Sequence, residues 1–426
     1  MLTREQNDLI CRTGPGTPGG DLMRRYWQPV ALAEELPPGG APLPVELLGE
    51  KLVLFRDAHG KPALIVRRCP HRGADLSYGR IETGGIRCLY HGWLFSGDGR
   101  CLEQPGERAE GMRERVKFAA YPCREAGGLV FAYLGPGEPP RLPELPFFSG
   151  PQDRAWYTKI HHECNWLQGQ EGNCDPQHLS ILHRFLPQGE SHQPALNSVL
   201  SADAAPRIET EETGFGLRIL AIRAGEAGGS HVRITNIVMP NFSSFDGGPL
   251  VNPRANRITE NMGYWVHWHV PINDTEHWKY SIAYRYDGPV DVPYQREQFA
   301  FLGGGYTSGR GLHNRFRQDR EEMKTRTYAG LGPYFQEHDK FAVESQGAIS
   351  DRSTEFLGTA DRAVVQMRRM MLAAVEDVRE GRDPRYVVRA GGHDPIAGMV
   401  VRSQALPAGT DVLGRWWESA PVKSAL

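Results

Sequence analysis

Residues 69–91 read Cys69-Pro-His71-Arg-Gly-Ala-Asp-Leu-Ser-Tyr-Gly-Arg-Ile-Glu-Thr-Gly-Gly-Ile-Arg-Cys88-Leu-Tyr-His91. The pattern is C-x-H, sixteen intervening residues, then C-x2-H. Each half brings one thiolate and one imidazole. Two such loops offer two sulfurs to one iron and two nitrogens to another, the donor set of a [2Fe–2S] centre in which two His replace two Cys. Fewer thiolates leave less negative charge around the cluster and raise its potential. Arg72, Gly73, Gly92 and Trp93 flank the ligands as small or rigid turn residues. A structural Cys2His2 zinc site is the competing reading. It fits less well, because zinc knuckles usually space like ligands by two or more residues.

Around this stretch the chain has a β pattern from about 45 to 135. Lys51–Arg56 and Ala63–Arg67 are apolar runs joined by Asp57-Ala-His-Gly60, the signature of a hairpin. Leu129–Leu134 is a further strand, and Cys101 and Cys123 read as buried small hydrophobes or free thiols. The segment Gly135–Pro146 carries five prolines and is the expected domain boundary, giving an N-terminal all-β domain (1–146, with a short helix at 3–13) and a second domain (147–426). The second part mixes types. A helix is expected at 176–186, strands at 207–222, 231–239, 262–270 and 277–286, and a long helix at 360–379 with Val364, Met367, Met371, Ala374, Val375 and Val378 on one stripe. Arg315–Lys324 reads as a solvated helix face. The fold class is α+β, with an antiparallel sheet backed by helices.

Composition narrows the function. Lys plus Arg is 49 and Asp plus Glu is 51, a balance that offers no electrostatic case for nucleic acid or an anionic membrane. No apolar run approaches the length of a membrane span, and MLTREQNDLI lacks an apolar signal core. Seven cysteines, an odd number in a long chain, speak against a disulfide framework and for a cytoplasmic protein.

A second constellation lies in Asn165-Trp-Leu-Gln-Gly-Gln-Glu171-Gly-Asn-Cys-Asp175-Pro-Gln-His178-Leu-Ser-Ile-Leu-His183. Two imidazoles and one carboxylate on one face of an iron leave adjacent positions open, as in mononuclear Fe(II) oxygenases. On a regular helix His178 and His183 would lie about 140° apart, so both reach one ion only from a bent or ending segment. Asp175 is the nearest carboxylate, but Asp before Pro176 also reads as a helix N-cap. Asp361, one turn before Val364 on the apolar stripe of the last helix, is the preferred third ligand, because a core-facing carboxylate is costly unless paired or bound to a cation. Asp351, Asp339 and Glu355 compete with it.

Together these motifs resemble the oxygenase component of the Rieske non-haem iron ring-hydroxylating oxygenases, most closely the phthalate 4,5-dioxygenase-like group. The similarity extends to Met23-Arg-Arg-Tyr-Trp-Gln-Pro29 and to Ser345-Gln-Gly-Ala-Ile-Ser-Asp-Arg-Ser-Thr-Glu-Phe-Leu-Gly-Thr-Ala-Asp361, and so covers about residues 1–380. It departs from the group at Pro176 and at Glu337-His-Asp-Lys, where the group often has Gln-Asp. The resemblance implies that Cys69, His71, Cys88 and His91 hold a Rieske [2Fe–2S] cluster and that His178, His183 and Asp361 hold a mononuclear Fe(II). It implies that Asp175 bridges a cluster His of one subunit and an iron His of the next, within a head-to-tail homotrimer or a hexamer of two trimers. A separate NADH-dependent reductase, of flavin or ferredoxin type, would supply electrons; no G-x-G-x-x-G segment opens a helix in this chain.

The implied reaction is hydroxylation or O-demethylation of a small aromatic substrate with O2. The group favours aromatic carboxylates, which a pocket Arg would bind as a bidentate pair. Leu182 (with Leu179 and Phe185), Arg207, Arg233, Asn236 and Phe242 are the candidate substrate contacts. The alternative is a non-catalytic Rieske electron carrier with an appended binding domain.

Overall fold

Two β systems organise the chain, which the computed structural model describes over residues 1–108, 111–189, 203–246, 263–384 and 387–418. In the first, β1 (Gln28–Leu32), β11 (Leu129–Ala132) and β10 (Cys123–Ala126) form one antiparallel sheet. A second contains β2 (Leu43–Leu47), β3 (Glu50–Arg56), β4 (Pro62–Val66) and β9 (Ala120–Tyr121). β3 and β4 are the expected hairpin. A third contains β5 (Arg80–Glu82), β6 (Gly85–Arg87), β7 (Leu94–Phe95) and β8 (Cys101–Glu103). Val53, Phe55, Ile65, Leu76, Ile86 and Phe95 close a small core that also buries Cys69, Cys88 and Cys101.

The helix expected at 3–13 spans Arg4–Cys11 and starts at a capping box: Thr3 Oγ1 accepts from the Gln6 N–H, and Gln6 Oε1 accepts from the Thr3 N–H. It packs against the long helix Arg362–Arg379. A division at residue 146 therefore separates stretches of chain but not packing units.

The second system is one large antiparallel sheet. Its order is β12 (Ala155–His162), β18 (His277–Arg285), β17 (Gly263–Pro271), β16 (Phe242–Asp246), β15 (Ser230–Val238), β14 (Gly216–Ala224) and β13 (Arg207–Glu212). β19 (Ser403–Leu406) pairs with β15 over Ser230–Arg233, where β16 no longer reaches. Side chains alternate between faces. Phe242, Trp268 and Tyr280 sit on the face toward β1 and Phe131, and Trp268 packs on Phe131 at 5.3 Å. Phe245, His267, His269 and Lys279 sit on the face that meets the helix Trp166–Cys174. Arg362–Arg379 buries the expected stripe of Val364, Met367, Met371, Ala374, Val375 and Val378.

Three expectations are corrected. Residues 207–222 are not one strand but the hairpin β13–β14; Thr213 Oγ1 accepts from the Gly216 N–H and closes its turn. The helix expected at 176–186 is a single turn, His178–Ile181. Arg315–Lys324 is no continuous helix: Arg315, Phe316 and Arg317 all have positive φ, and Phe316 is buried beneath the loop. Among the described residues no helix is long and apolar enough to cross a membrane.

Candidate metal centres

The two halves of the Cys/His motif form equivalent turns. The Cys69 N–H donates to the Ala74 carbonyl and the Gly73 N–H to the Cys69 carbonyl, both at 2.8 Å. The Cys88 N–H donates to the Trp93 carbonyl at 2.8 Å and the Gly92 N–H to the Cys88 carbonyl at 3.0 Å. Gly73 and Gly92 both have φ +73°, which favours glycine and lets each turn fold back beside its ligands. The thiols are buried and near enough to share a hydrogen bond. The imidazoles lie outside them with ring centroids 4.5 Å apart, and His71 stacks on Trp93. Sulfur is thus gathered on one side and nitrogen on the other. This segregation fits a two-iron cluster lying between them. A single zinc needs all four donors converging on one point.

Donors do converge on one point elsewhere. Among the described residues, His178, His183 and Asp339 are the one group of three or more metal-type donors whose ligand atoms all lie within 4.8 Å of one another. Asn165 caps the helix Trp166–Cys174 by accepting from the Leu167 N–H, and Asp175 ends it. The Asp175 Oδ1 accepts from the Gln177 N–H at 2.7 Å and turns the chain into the short His178 helix. Asp175 is therefore the stop of one helix, not the N-cap of the next. The early end of that second helix removes the angular separation a regular helix would impose on the two His.

The third donor differs from the one expected. Asp339 lies on the helix Phe335–Glu344, its Oδ1 3.0 Å from His183 Nε2 and 3.7 Å from His178 Nε2. Asp361 is turned elsewhere: it sits just outside the last helix, and its Oδ2 accepts from the Gly358 N–H at 2.6 Å. The apolar stripe does not extend back to it because Asp361 belongs to the 3-10 turn Thr359–Asp361 that precedes the α-helix. Asp351 accepts from Ser353, and Glu355 pairs with Arg368. Burial opposes the charge of Asp339, but His183, Lys279 and His178 outweigh it and hold the carboxyl far below its usual range.

The hydrogen bonds also fix which imidazole nitrogen faces the centre. The Gly332 carbonyl can only accept, so His338 Nε2 donates to it at 2.8 Å. Burial keeps His338 neutral, with its pKa pushed down to about 4. Its Nδ1 therefore accepts, at 3.3 Å, from His183 Nδ1. His178 Nδ1 likewise donates to the Asp175 carbonyl, with Asp175 Oδ2 at 3.6 Å. Nδ1 of both His is thus engaged, which leaves Nε2 to face Asp339, where it would bind a metal in place of the proton it shares with the carboxylate. The donor set of two neutral imidazoles and one carboxylate fits a mononuclear iron.

Two adjoining cavities flank this centre. One is walled by Asp175, Leu182, His269 and Lys279, the other by Leu179, Arg233, Thr235, Phe245, His267 and Phe335. Leu182 lies where expected. Arg207 does not: it is exposed on the edge strand and pairs with Glu209 at 3.1 Å. Asn236 donates to Ser244 Oγ and the Val400 carbonyl, and Phe242 packs on Trp268, both on the opposite sheet face. Arg233, the other candidate, lines the second cavity together with Thr235 and Phe245, which lie an odd number of residues from Asn236 and Phe242 and so on the other face.

Comparison with known proteins shows the family. Residues 26–122 match the Rieske [2Fe-2S] domain, and residues 132–400 match the family described as LigXa C-terminal domain like. The chain is 38% identical to the phthalate 4,5-dioxygenase oxygenase subunit of Pseudomonas putida, over 89% of this chain and 88% of that one. It is 33% identical to the 5,5'-dehydrodivanillate O-demethylase oxygenase subunit of a Sphingobium strain, over 91% and 84%. The reduced complex between oxygenase and ferredoxin in carbazole 1,9a-dioxygenase shares its fold, with a TM-score of 0.51 at 20% identity over 85% of this chain and 90% of that one. A cluster domain joined to an iron-binding sheet domain defines a terminal oxygenase. The chain belongs to the Rieske non-haem iron oxygenases, as the oxygenase component with a [2Fe–2S] cluster and a mononuclear iron.

Proposed function

We propose that this oxygenase hydroxylates or O-demethylates an aromatic carboxylate, with His178, His183 and Asp339 holding the iron and Cys69, His71, Cys88 and His91 the cluster. The convergence of His178, His183 and Asp339 carries the reading, because a simple electron carrier has no use for a second, open metal site. When bound, the cluster supplies single electrons, and the ferrous iron activates O2 beside the substrate.

The remaining roles belong to the chain. Asp175 is held ionised: burial opposes its charge, but its contacts to His178 and to the Gln177 and His178 backbone lower its pKa overall. It keeps a carboxylate oxygen near His178, which supports the bridging role the family resemblance implies. The cluster loop leaves Leu89 and Tyr90 exposed beside His91, which suits docking on a neighbouring copy in a homotrimer or hexamer. A separate reductase or ferredoxin is the electron donor, by analogy with the carbazole complex. A cytoplasmic setting accords with seven unpaired cysteines.

For the substrate, Arg233 is the anchor. It is buried in the cavity wall with its guanidinium 4.8 Å over the Phe245 ring. Burial pushes its pKa down to about 10, so a carboxylate entering the cavity supplies a charge the site favours. The relatives named for phthalate and dehydrodivanillate act on aromatic carboxylates. The test is O2 uptake by the iron-loaded protein with a reductase and a panel of benzoates. Arg233→Met should raise KM at least tenfold for carboxylates and spare their uncharged amides. Equal loss for both would refute the anchor.

A further inference from the structure

A line of polar side chains, three buried imidazoles and the half-buried Asn173, runs between the sheet and the helix Trp166–Cys174 beside the iron centre. His277 Nδ1 lies 2.8 Å from the Cys164 carbonyl, and His277 Nε2 lies 3.1 Å from His269 Nδ1. His269 Nε2 lies 2.8 Å from Asn173 Nδ2, and Asn173 Oδ1 lies 3.2 Å from His267 Nδ1. All three imidazoles are buried. The helix Trp166–Cys174 comes close enough to hold them because position 169 is glycine: a Cβ there would sit 2.3 Å from His269 Nδ1 and 2.9 Å from His277 Nε2.

The direction of every bond follows from one end. The Cys164 carbonyl only accepts, so His277 Nδ1 carries a proton. Burial keeps His277 neutral, with its pKa pushed down to about 3, so its Nε2 accepts from His269 Nδ1. His269 Nε2 is then an acceptor and takes the Asn173 amide proton. That orients the amide, whose Nδ2 also donates to Ser243 Oγ at 2.8 Å. Asn173 Oδ1 must then accept from His267 Nδ1. His267 is left with a bare Nε2, buried and without a partner among the described residues, in the wall of the cavity that holds Arg233. A buried acceptor without a donor costs free energy, and it rewards a ligand that supplies one.

We propose that His267 selects for a hydroxyl group on the aromatic substrate, accepting its hydrogen bond through Nε2, and that Asn173, His269 and His277 are positioning residues that fix this tautomer. The inference rests on the reading of the cavity as the substrate site, and it narrows the substrate class to hydroxylated aromatic carboxylates. A methyl ether at the same position has no proton to give and leaves Nε2 unpaired. Discrimination of this kind is large because the penalty falls on the wrong ligand.

The experiment is equilibrium binding to the iron-loaded, full-length protein without O2, followed by tryptophan fluorescence. The probes are matched pairs: 3-hydroxybenzoate with 3-methoxybenzoate, 4-hydroxybenzoate with 4-methoxybenzoate, and phenol with anisole. The expected result is a hydroxyl preference of roughly tenfold in Kd in at least one pair, reduced to about twofold or less by His267→Phe. His277→Leu should weaken the same ratio. His277→Gln should restore it, since its amide can still donate to the Cys164 carbonyl and accept from His269. Cluster absorbance confirms that each variant is folded. No hydroxyl preference in any wild-type pair overturns the proposal, as does a preference that survives His267→Phe. If Arg233→Met leaves benzoate binding unchanged, the carboxylate reading fails by itself, and the phenol–anisole pair still decides the role of His267.

Discussion

Exchanging Asp339 and Asp361 separately for asparagine tests the metal centre most directly. Asp339→Asn removes the one carboxylate that both His178 and His183 face. It also strips Lys279 of a partner at 3.7 Å. At that distance, with an effective dielectric constant near 20, the lost attraction is about 4 kcal/mol. Asp339 is 27% exposed, and Lys279 keeps a hydrogen bond to Gln336, so the net cost to the metal-free fold is about 1–3 kcal/mol. The protein should therefore fold. Its iron content should drop from about three per chain to about two, because the cluster is retained and the mononuclear site lost. Asp361→Asn keeps an oxygen for the Gly358 N–H and loses only a charge at a helix start, worth about 0.5–1 kcal/mol. It should keep all its iron. The assay is iron and acid-labile sulfide per chain on anaerobically purified, Fe(II)-reconstituted protein. Loss of iron in Asp361→Asn with retention in Asp339→Asn would falsify the assignment.

Other perturbations probe the residues around the two centres. His338→Leu should weaken mononuclear Fe(II) binding by about 10- to 100-fold, and His338→Gln by much less, since a carboxamide can accept from His183 and donate to Gly332; equal affinities in an Fe(II) titration would contradict the tautomer argument. Asp175→Asn should keep both metals yet slow single-turnover oxidation of the reduced cluster strongly, and an unchanged rate would remove the bridge. Glu171 is buried between Arg352 and Arg368, at 2.7 and 2.6 Å; Glu171→Gln should cost about 3–5 kcal/mol in urea unfolding, as when one member of a buried ionic network is lost. His231 and His277 are buried neutral, with burial pushing their pKa values down to about 4 and about 3. The unfolded chain binds more protons than the native one between those values and about 6.5, so their contribution is complete above about pH 6.5 and is lost as pH falls toward 4 and 3. Metal-free protein should lose about 2 kcal/mol per histidine between pH 7 and 5, and identical urea midpoints at the two pH values would refute this.

The two metal motifs differed in how far the sequence could be trusted, and the reason is physical. The cluster ligands are local. Each Cys/His pair lies within four residues, and a glycine turns the chain beside it, so spacing alone specifies the site. The two His of the proposed iron site, which the structure brings together, are legible for the same reason. The carboxylate was not, because it arrives from a helix about 160 residues later in the chain. That helix is a charged segment in the sequence, yet it turns its polar residues inward: Glu337, His338, Lys340 and Glu344 are all buried. They tolerate burial because the interior supplies partners. Glu337 meets Arg310, His338 meets His183, and Lys340 meets Glu344. Polarity along this helix marks the inner face, the reverse of the rule that placed Asp361.

The substrate wall failed on a narrower point. The strand positions are legible, and of the candidates on them Arg233 faces the cavity, while Asn236 and Phe242 lie behind the sheet and Thr235 and Phe245 take the wall. Alternation assigns a strand's faces only when one face meets water. In β17 every residue is buried, and in β15 every residue after Ser230 is. Polar side chains occur on both sides, so the period of two carries no label for inside. The assignment comes from cross-strand pairing alone: Thr235 lies opposite Phe245 and Asn236 opposite Ser244. One residue of register moves the whole set from the iron cavity to the packed face behind it. The same parity places Arg233 and His267 on the cavity wall together, so a single strand register selects both the carboxylate anchor and the hydroxyl acceptor.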